Sequence, residues 1–146
     1  MNWTTLLLQE LSNVDNKAPF HLLALATISS GLPRVRNVVL RGLHGQQLLF
    51  VTNRGSNKFK ELVAEPRCEA VVYFQGTRCQ YRFRGPCAEI KENRLRCDQW
   101  GALSMATRAT FNGMDDFVLM GISVEAVHLL DLGTDSHQQW PVASSL

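Results

Sequence analysis

The stretch RVRNVVLRGLHGQQLLFVTNRGSNK, residues 34–58, joins two strand patterns to a polar turn. Strand-forming apolar residues fill 34–42, a turn follows at 44–45, and a second apolar run covers 47–52, which together predict a β-hairpin. After this hairpin the apolar spacing becomes helical, and Ser56 is a favourable N-cap. The stretch therefore predicts a hairpin that leads directly into a short helix.

Outward from this hairpin, the chain continues in the same style of short strands and short helices. Further strands are predicted by apolar runs at 20–29, 68–75, 78–85, 116–123 and 124–132, and a short run at 87–91 follows Pro86. Helical spacing predicts helices at about 2–12, 57–65 and 91–108. Because no linker or repeat interrupts the chain, we expect residues 1–146 to form a single domain. The class is mainly β with short helices, as a small barrel of six or seven antiparallel strands.

The composition narrows the classes of partner. The 146 residues carry 15 Lys and Arg against 13 Asp and Glu, a net charge of +2, which gives no general reason to expect a nucleic-acid or membrane partner. No apolar segment approaches the roughly 20 residues that span a bilayer. The four cysteines form no C-x-x-C pair, which favours reduced thiols and no metal site. We therefore expect a cytoplasmic protein.

Positive charge is nevertheless concentrated locally, since residues 34–60 contain six basic and no acidic residues. On a regular strand Arg36 and Arg41 point to opposite faces. An arginine facing a barrel interior must reach an edge or a bound anion, because an unpaired buried charge is too costly. The stretch thus predicts an anionic ligand, although solvated arginines paired with acidic neighbours would give the same pattern.

The turn TNRGSNK, residues 52–58, suits a phosphate. The unpaired N–H groups and the dipole of a helix N-terminus favour negative charge. Thr52 can donate a hydroxyl hydrogen bond, and Arg36 and Lys58 can give charge-assisted bonds of about 1.5–3 kcal/mol each. Three such bonds total roughly 5–9 kcal/mol, short of the roughly 8–12 kcal/mol of a micromolar to nanomolar ligand. The ligand should therefore also carry an apolar or aromatic body.

Three motifs in this order, RVRNVVLRG, LLFVTNRGSNKFKEL and CQYRFRG, resemble the pyridoxamine 5'-phosphate oxidase family of FMN-binding split barrels. The resemblance covers roughly residues 20–90 and is weaker over the last two strands. It implies a split β-barrel with FMN bound at the interface of a homodimer. Related barrels also bind F420 or haem.

By position, the resemblance implies a set of cofactor-binding residues. Those assigned to the phosphate and its turn are Arg36, Ser56, Asn57 and Lys58. Those assigned to the flavin ring and its surroundings are Val38, Val39, Arg41, Val51, Thr52 and Gln80. Arg41 is the candidate catalytic residue, close to the flavin and the substrate. Arg34, Arg54 and Lys60 are expected to be ordinary surface charges.

The C-terminal tail departs from the oxidase pattern. His137 stands near the position of the family's R-x-H-x-R segment, but Gln138 and Gln139 follow it, and no arginine follows Arg108. The resemblance therefore implies flavin chemistry without pointing to pyridoxamine 5'-phosphate as the substrate.

Three functions are consistent with these patterns. The first is an FMN-dependent oxidoreductase that takes electrons from a nicotinamide donor or a small-molecule substrate, with Arg41 stabilising the reduced ring. The second is a flavin-binding or storage module without turnover. The third is a nucleic-acid-binding β-barrel, whose stacking residues would be Tyr73, Phe74, Tyr81 and Phe83.

Overall fold

Short strands and corner helices alternate along the chain, as the sequence predicts. The structure is a computed structural model and describes residues 1–141. The helices are α1 (Trp3–Ser12), α2 (Asn57–Ala64), α3 (Asn93–Ala102) and α4 (Met105–Arg108), with a 3-10 turn at Val14–Asn16. The strands are β1 (His21–Ser29), β2 (Leu32–Leu40), β3 (Gly42–His44), β4 (Gln47–Asn53), β5 (Arg67–Phe74), β6 (Cys79–Glu89), β7 (Phe117–Ser123), β8 (Ala126–Asp131) and β9 (Ser136–Trp140).

The strands form one curled antiparallel sheet. Its order is β2-β1-β5-β6-β7-β4-β3, and β8 and β9 extend it from β6. One edge of β6 pairs with β8 up to Arg84 and with β7 from Cys87. Gly85 lies at this change of partner, where a Cβ atom would overlap the Ser123 carbonyl oxygen. The ends of the sheet meet where the Arg41 N–H donates to the Leu49 carbonyl at 2.8 Å, so the sheet closes as a split barrel.

The predicted fold class is confirmed, with differences in detail. The predicted hairpin over 34–52 is wrong in its pairing: β2 pairs with β1, and only the short β3 pairs with β4, because the strand is interrupted at Arg41, before Gly42 with its φ of 141°. The short β3 and the polar β9 raise the number of described strands to nine, because an exposed edge strand needs no apolar alternation to pair. The helix predicted over 91–108 is divided into α3 and α4. Leu103 is buried between them, and the Ser104 hydroxyl accepts from the Thr107 N–H at 3.1 Å, which starts a new helix.

Two apolar clusters lie on opposite faces of β4. Leu48 and Phe50 face the barrel core, which α1 closes with Trp3 and Leu7. Alternation along the strand places Leu49 in a second cluster with residues of β7 and of the α3–α4 segment. The helices of the described residues include none that is both long and apolar enough to cross a bilayer.

The face of the sheet turned away from the core carries two surfaces. Its apolar half lies on β2, β1 and β5 and includes Leu22, Val35, Val39, Val71 and Tyr73. Its basic half lies on β6, β8 and β9 and includes Arg82, Arg84, His128 and His137. Gln80 is on the same face of β6 and pairs with Tyr73 at the boundary.

Candidate functional site

The start of α2 is ordered by hydroxyl groups. The Ser56 side chain accepts from the Phe59 N–H at 3.2 Å, and its hydroxyl lies 2.8 Å from that of buried Thr52. The first N–H groups of a helix have no acceptor within it. With that of Phe59 satisfied by Ser56, those of Asn57 and Lys58 remain at the helix start, where an anion is favoured. We call Arg36, Thr52, Ser56, Asn57 and Lys58 the α2 site.

Arg36 is held in place by a network between β1, β2 and α2. Its Nη1 donates to Thr27 Oγ1 at 2.7 Å, and its Nη2 donates to Glu61 Oε2 at 2.6 Å. The Thr27 hydroxyl donates to the same carboxylate oxygen at 2.6 Å. These bonds, first that of Thr27 and then that of Arg36, hold the pKa of Glu61 below its usual value. We call Thr27, Arg36 and Glu61 the clamp; it fixes the orientation of the guanidinium group.

Lys58 is half-buried on the first turn of α2. Burial lowers the pKa of its ammonium group, and the positive charge of Arg36 lowers it further. Arg36 and Lys58 are therefore close enough to repel one another. An anion between them would relieve this repulsion.

Arg54 is more than the surface charge that the sequence suggests. Its backbone N–H donates to the Asp116 carbonyl at 2.9 Å, its Nε donates to the Asp115 carbonyl at 2.8 Å, and its Nη2 donates to Glu89 at 2.9 Å. Asn53 also donates to the Asp116 carboxylate at 2.9 Å. The turn before α2 is thus braced against β6 and the start of β7.

The other predicted residues lie in different surroundings. Val38 is buried in the barrel core and Val39 is half-buried, both on β2, the strand at one end of the sheet order. Val51 packs against the second cluster. Arg41 lies between β2 and β3, and its Nε is buried with no hydrogen-bond partner among the described residues. A buried donor of this kind, which Arg96 Nε also is, calls for an acceptor such as an ordered water or a bound ligand.

Gln80 is not brought to the α2 site within one protomer. It lies on β6, three positions from β2 in the sheet order. At strand spacings of 4.7–4.9 Å this is roughly 14 Å. Only a second molecule could place a Gln80 side chain beside the β2 edge.

Sequence reasoning missed Thr27, Glu61 and the brace of Arg54. Glu61 is the first acidic residue after the acid-free stretch 34–60, and this position was the available signal that it could pair with one of the basic residues there. The aromatic residues needed for a nucleic-acid-binding barrel are mostly inaccessible, because Phe74, Tyr81 and Phe83 are buried in the core. These three rings therefore cannot stack on nucleic-acid bases, which removes the main support for the nucleic-acid-binding hypothesis. The described residues contain no group of three or more His, Cys, Asp or Glu side chains placed to hold a metal ion.

A family model and a curated relative both match part of the chain, and both come from the same family. The family model described as "Pyridoxamine 5'-phosphate oxidase, FMN-binding domain" matches residues 1–91. A curated "Pyridoxine/pyridoxamine 5'-phosphate oxidase" of Azorhizobium caulinodans is 38% identical over 71 residues, which are 48% of this chain and 34% of the relative. The chain thus spans about a third of the length of that curated relative.

Solved structures share the fold over nearly the whole chain. A pyridoxamine 5'-phosphate oxidase-related, FMN-binding protein from Nostoc punctiforme superposes with a TM-score of 0.79 at 22% identity, covering 95% of this chain and 96% of that one. PhzG from Burkholderia lata, in complex with tetrahydrophenazine-1-carboxylic acid, has a TM-score of 0.75 at 18% identity, covering 92% and 83%. At these identities the likeness shows the fold alone.

Proposed function

Since the chain belongs to the pyridoxamine 5'-phosphate oxidase family, in its FMN-binding domain, we propose that it binds FMN at the α2 site and acts as an FMN-dependent oxidoreductase. The observation that carries the proposal is the convergence of Arg36 and Lys58 at the start of α2. Two cations face one nearby carboxylate, Glu61, so one positive charge is left for a phosphate.

The residues present fit the cofactor. Lys58, the Ser56 hydroxyl and the free N–H groups at the start of α2 would hold the phosphate, and the clamp would present Arg36 to it without reorganisation. The unpartnered Nε of Arg41 would donate to the ring. Bound FMN supplies the redox chemistry. Arg41 would hold negative charge at the ring edge, as a fixed electrostatic group does best in a site shielded from water.

A homodimer is part of this proposal. The apolar half of the outer face exposes 68% of Val35, 47% of Tyr73 and 44% of Leu22. Exposed apolar patches of this kind mark interaction sites. A second copy on this half would cover it and could bring Gln80 of the partner subunit to the α2 site, which a single protomer leaves incomplete. The four free cysteines suit a reducing compartment, so we also propose a cytoplasmic location.

The absorbance of the purified protein and the FMN that it releases test whether FMN is the bound cofactor. The purified protein should be yellow and release FMN on denaturation. Lys58→Ala should weaken FMN binding at least about tenfold, the value of one charge-assisted hydrogen bond, and leave riboflavin binding unchanged because riboflavin lacks the phosphate. Lys60→Ala is the matched control, an exposed lysine on the same helix. A protein that neither carries nor takes up FMN would overturn the proposal.

Oligomeric state and FMN affinity together test the dimer. Val35→Glu should shift sedimentation from dimer to monomer and weaken FMN binding, although it leaves the α2 site itself untouched. Met105→Glu, at an exposed residue of α4, should do neither. If Val35→Glu yields a monomer with unchanged FMN affinity, the cofactor site is complete in one protomer.

A second candidate, a flavin-binding module without turnover, is favoured by the tail. His137 lies on β9 with its Nδ1 3.0 Å from Nε2 of His128, so it is engaged with a neighbour rather than free to hold a substrate. Anaerobic mixing with NADH or NADPH separates the two candidates. Bleaching of bound FMN faster than that of free FMN supports the oxidoreductase; bleaching at the rate of free FMN supports the module.

A further inference from the structure

We propose that the α2 site continues into the pocket between α2 and the β1–β2 turn, and that this pocket binds the second phosphate and the nucleoside of a dinucleotide flavin such as FAD. The pocket has a volume of about 660 Å³, within the range of roughly 300–1,000 Å³ usual for small-molecule sites. We call it the tail pocket; the residues that would act on a ligand there are Arg34, Asn57, Lys60 and the turn 29–31. The inference rests on the proposed function and deepens it, because it concerns the chemical class of the flavin.

The tail pocket is joined to the α2 site by Asn57. This residue is the first of α2 and also lines the pocket. Lys60 follows three residues later on the same helix, roughly 4.5 Å further along its axis. A flavin phosphate bound at the start of α2 would therefore place the next phosphate of a pyrophosphate beside Lys60.

Arg34 faces the same side of the sheet as the clamp. It stands opposite Thr27 in the pairing of β1 with β2, and directly opposed residues of an antiparallel pair share a face. The pKa of Glu61 is lowered by its bonds with Thr27 and Arg36 and also by the charge of Arg34, so the Arg34 guanidinium lies close to the clamp. Val35 points to the opposite face. A second copy covering Val35 would thus leave the face that carries Arg34 open to a ligand.

The charges that line the tail pocket are unbalanced. Glu61 is already paired with Arg36, and Glu65 is paired with Arg67 at 2.7 Å. Within residues 1–141, neither Arg34 nor Lys60 forms a salt bridge. Two exposed cations on facing walls of one pocket are therefore available to an anion, for which an arginine offers a bidentate fork.

FMN alone would leave these two cations unused. The α2 site offers one net positive charge from Arg36, Lys58 and Glu61, and the helix start adds roughly half a charge. A phosphate monoester carries about −1.5 to −2 charges at pH 7, so the α2 site nearly balances it by itself. The charge of the tail pocket thus calls for a second anionic group, which FAD carries next to the first.

The far end of the tail pocket is polar. Ser29 and Ser30 line it, and their hydroxyl groups are of the kind that bond to ribose hydroxyls. None of the described residues that line the pocket is aromatic, so no ring is offered on which a base would stack. Recognition therefore depends on the second phosphate rather than on the base.

Calorimetric titration with FMN and with FAD tests the tail pocket, using the purified protein after removal of bound flavin. FAD should bind at least as tightly as FMN. The double variant Arg34→Ala/Lys60→Ala should weaken FAD binding at least about tenfold, the value of one charge-assisted hydrogen bond, and change FMN binding less than about twofold. Lys58→Ala should weaken both flavins. Lys91→Ala/Arg94→Ala removes the same charge at exposed residues before and within α3 and is the matched control.

Three results would overturn the tail pocket. FAD binding that is about tenfold weaker than FMN binding, or worse, would mean that the pocket excludes the nucleoside end. Equal FAD affinity in the unchanged protein and in Arg34→Ala/Lys60→Ala would remove these cations from recognition. Equal weakening of FMN and FAD in that variant would show a general charge effect. Failure to bind either flavin overturns the proposed function and this inference together, whereas FMN binding without FAD binding overturns this inference alone.

Discussion

The two places where this molecule concentrates positive charge hold their cations in opposite ways. In the clamp, Arg36 is bonded at 2.6 and 2.7 Å, and the Glu61 side chain is only 8% exposed. On the basic half of the outer face, Arg82 and Arg84 lie 4.0 Å from Glu69 and face solvent. Fixed cations lower the entropic cost of binding and suit a resident cofactor, whereas loosely paired ones keep the mobility of surface side chains.

The largest effect should come from removing the acid of the clamp. Glu61→Ala leaves Arg36 without its carboxylate and should lower the free energy of unfolding by about 2–3 kcal/mol, somewhat less than a fully buried pair because water can still reach Arg36. Equilibrium unfolding in urea measures this change in the free energy of unfolding. Glu65→Ala is the control, since its pair with Arg67 is exposed and should contribute below about 1 kcal/mol. Equal losses would show that the clamp is no more structural than a surface pair.

The clamp also marks the limit of what the sequence could predict. The strands on either side of the turn at 44–45 and helix α2 were predictable because their patterns are local: alternation, a turn, an N-cap. The pairing of the predicted hairpin was not, since β2 pairs with β1 rather than with β4. Glu61 was not predictable either, because an acidic residue on a short helix has the same pattern whether it faces water or an arginine. Its partner Thr27 lies 34 residues away along the chain. Only the packing of α2 against β1 and β2 joins them.

The basic half of the outer face was equally hidden. Alternation along β6 places Arg82 and Arg84 on one face of the strand, but their proximity to His128 depends on β8 joining β6. The polar sequence of β9 carries no strand signal. For the same reason the sequence could not show that Gln80 lies three strands from Arg36.

The second effect is the pH dependence of FMN affinity, which depends on the charge of Lys58 at the α2 site. Because burial and Arg36 lower the pKa of Lys58, its charge is lost at a lower pH than that of an ordinary lysine. FMN affinity should therefore fall as pH rises above neutrality towards about 10, by about tenfold when this charge-assisted bond is lost. Riboflavin affinity, measured by fluorescence over the same range, controls for ionisation of the ring. Parallel curves for FMN and riboflavin would remove Lys58 from the phosphate.

A third, smaller effect concerns the brace. Arg54→Ala removes bonds to Asp115 and Glu89, but the arginine side chain is 44% exposed, so the loss of stability should be only about 1 kcal/mol. The looser turn should weaken FMN binding several-fold through a faster dissociation rate, as stopped-flow fluorescence would measure. Arg34→Ala, at an exposed arginine of β2, is the control. An unchanged dissociation rate would mean that α2 orders its own first turn.

The smallest effect should arise on the basic half of the outer face, where His128 titrates. Burial and then the charge of Arg82 lower the pKa of His128, so the folded state prefers the neutral ring. This contribution to stability is present above the unfolded pKa of about 6.5 and is lost as pH falls. His128→Gln keeps an acceptor for Arg82 and a donor for His137, and should cost at most about 0.5 kcal/mol at pH 7.5. The unfolding temperature of His128→Gln should then fall less steeply between pH 7.5 and 5.5 than that of the unchanged protein, whereas His44→Gln, at the exposed end of β3, should fall as steeply as the unchanged protein. An equal decline in all three proteins would mean that His128 protonates as readily in the folded state as in the unfolded state.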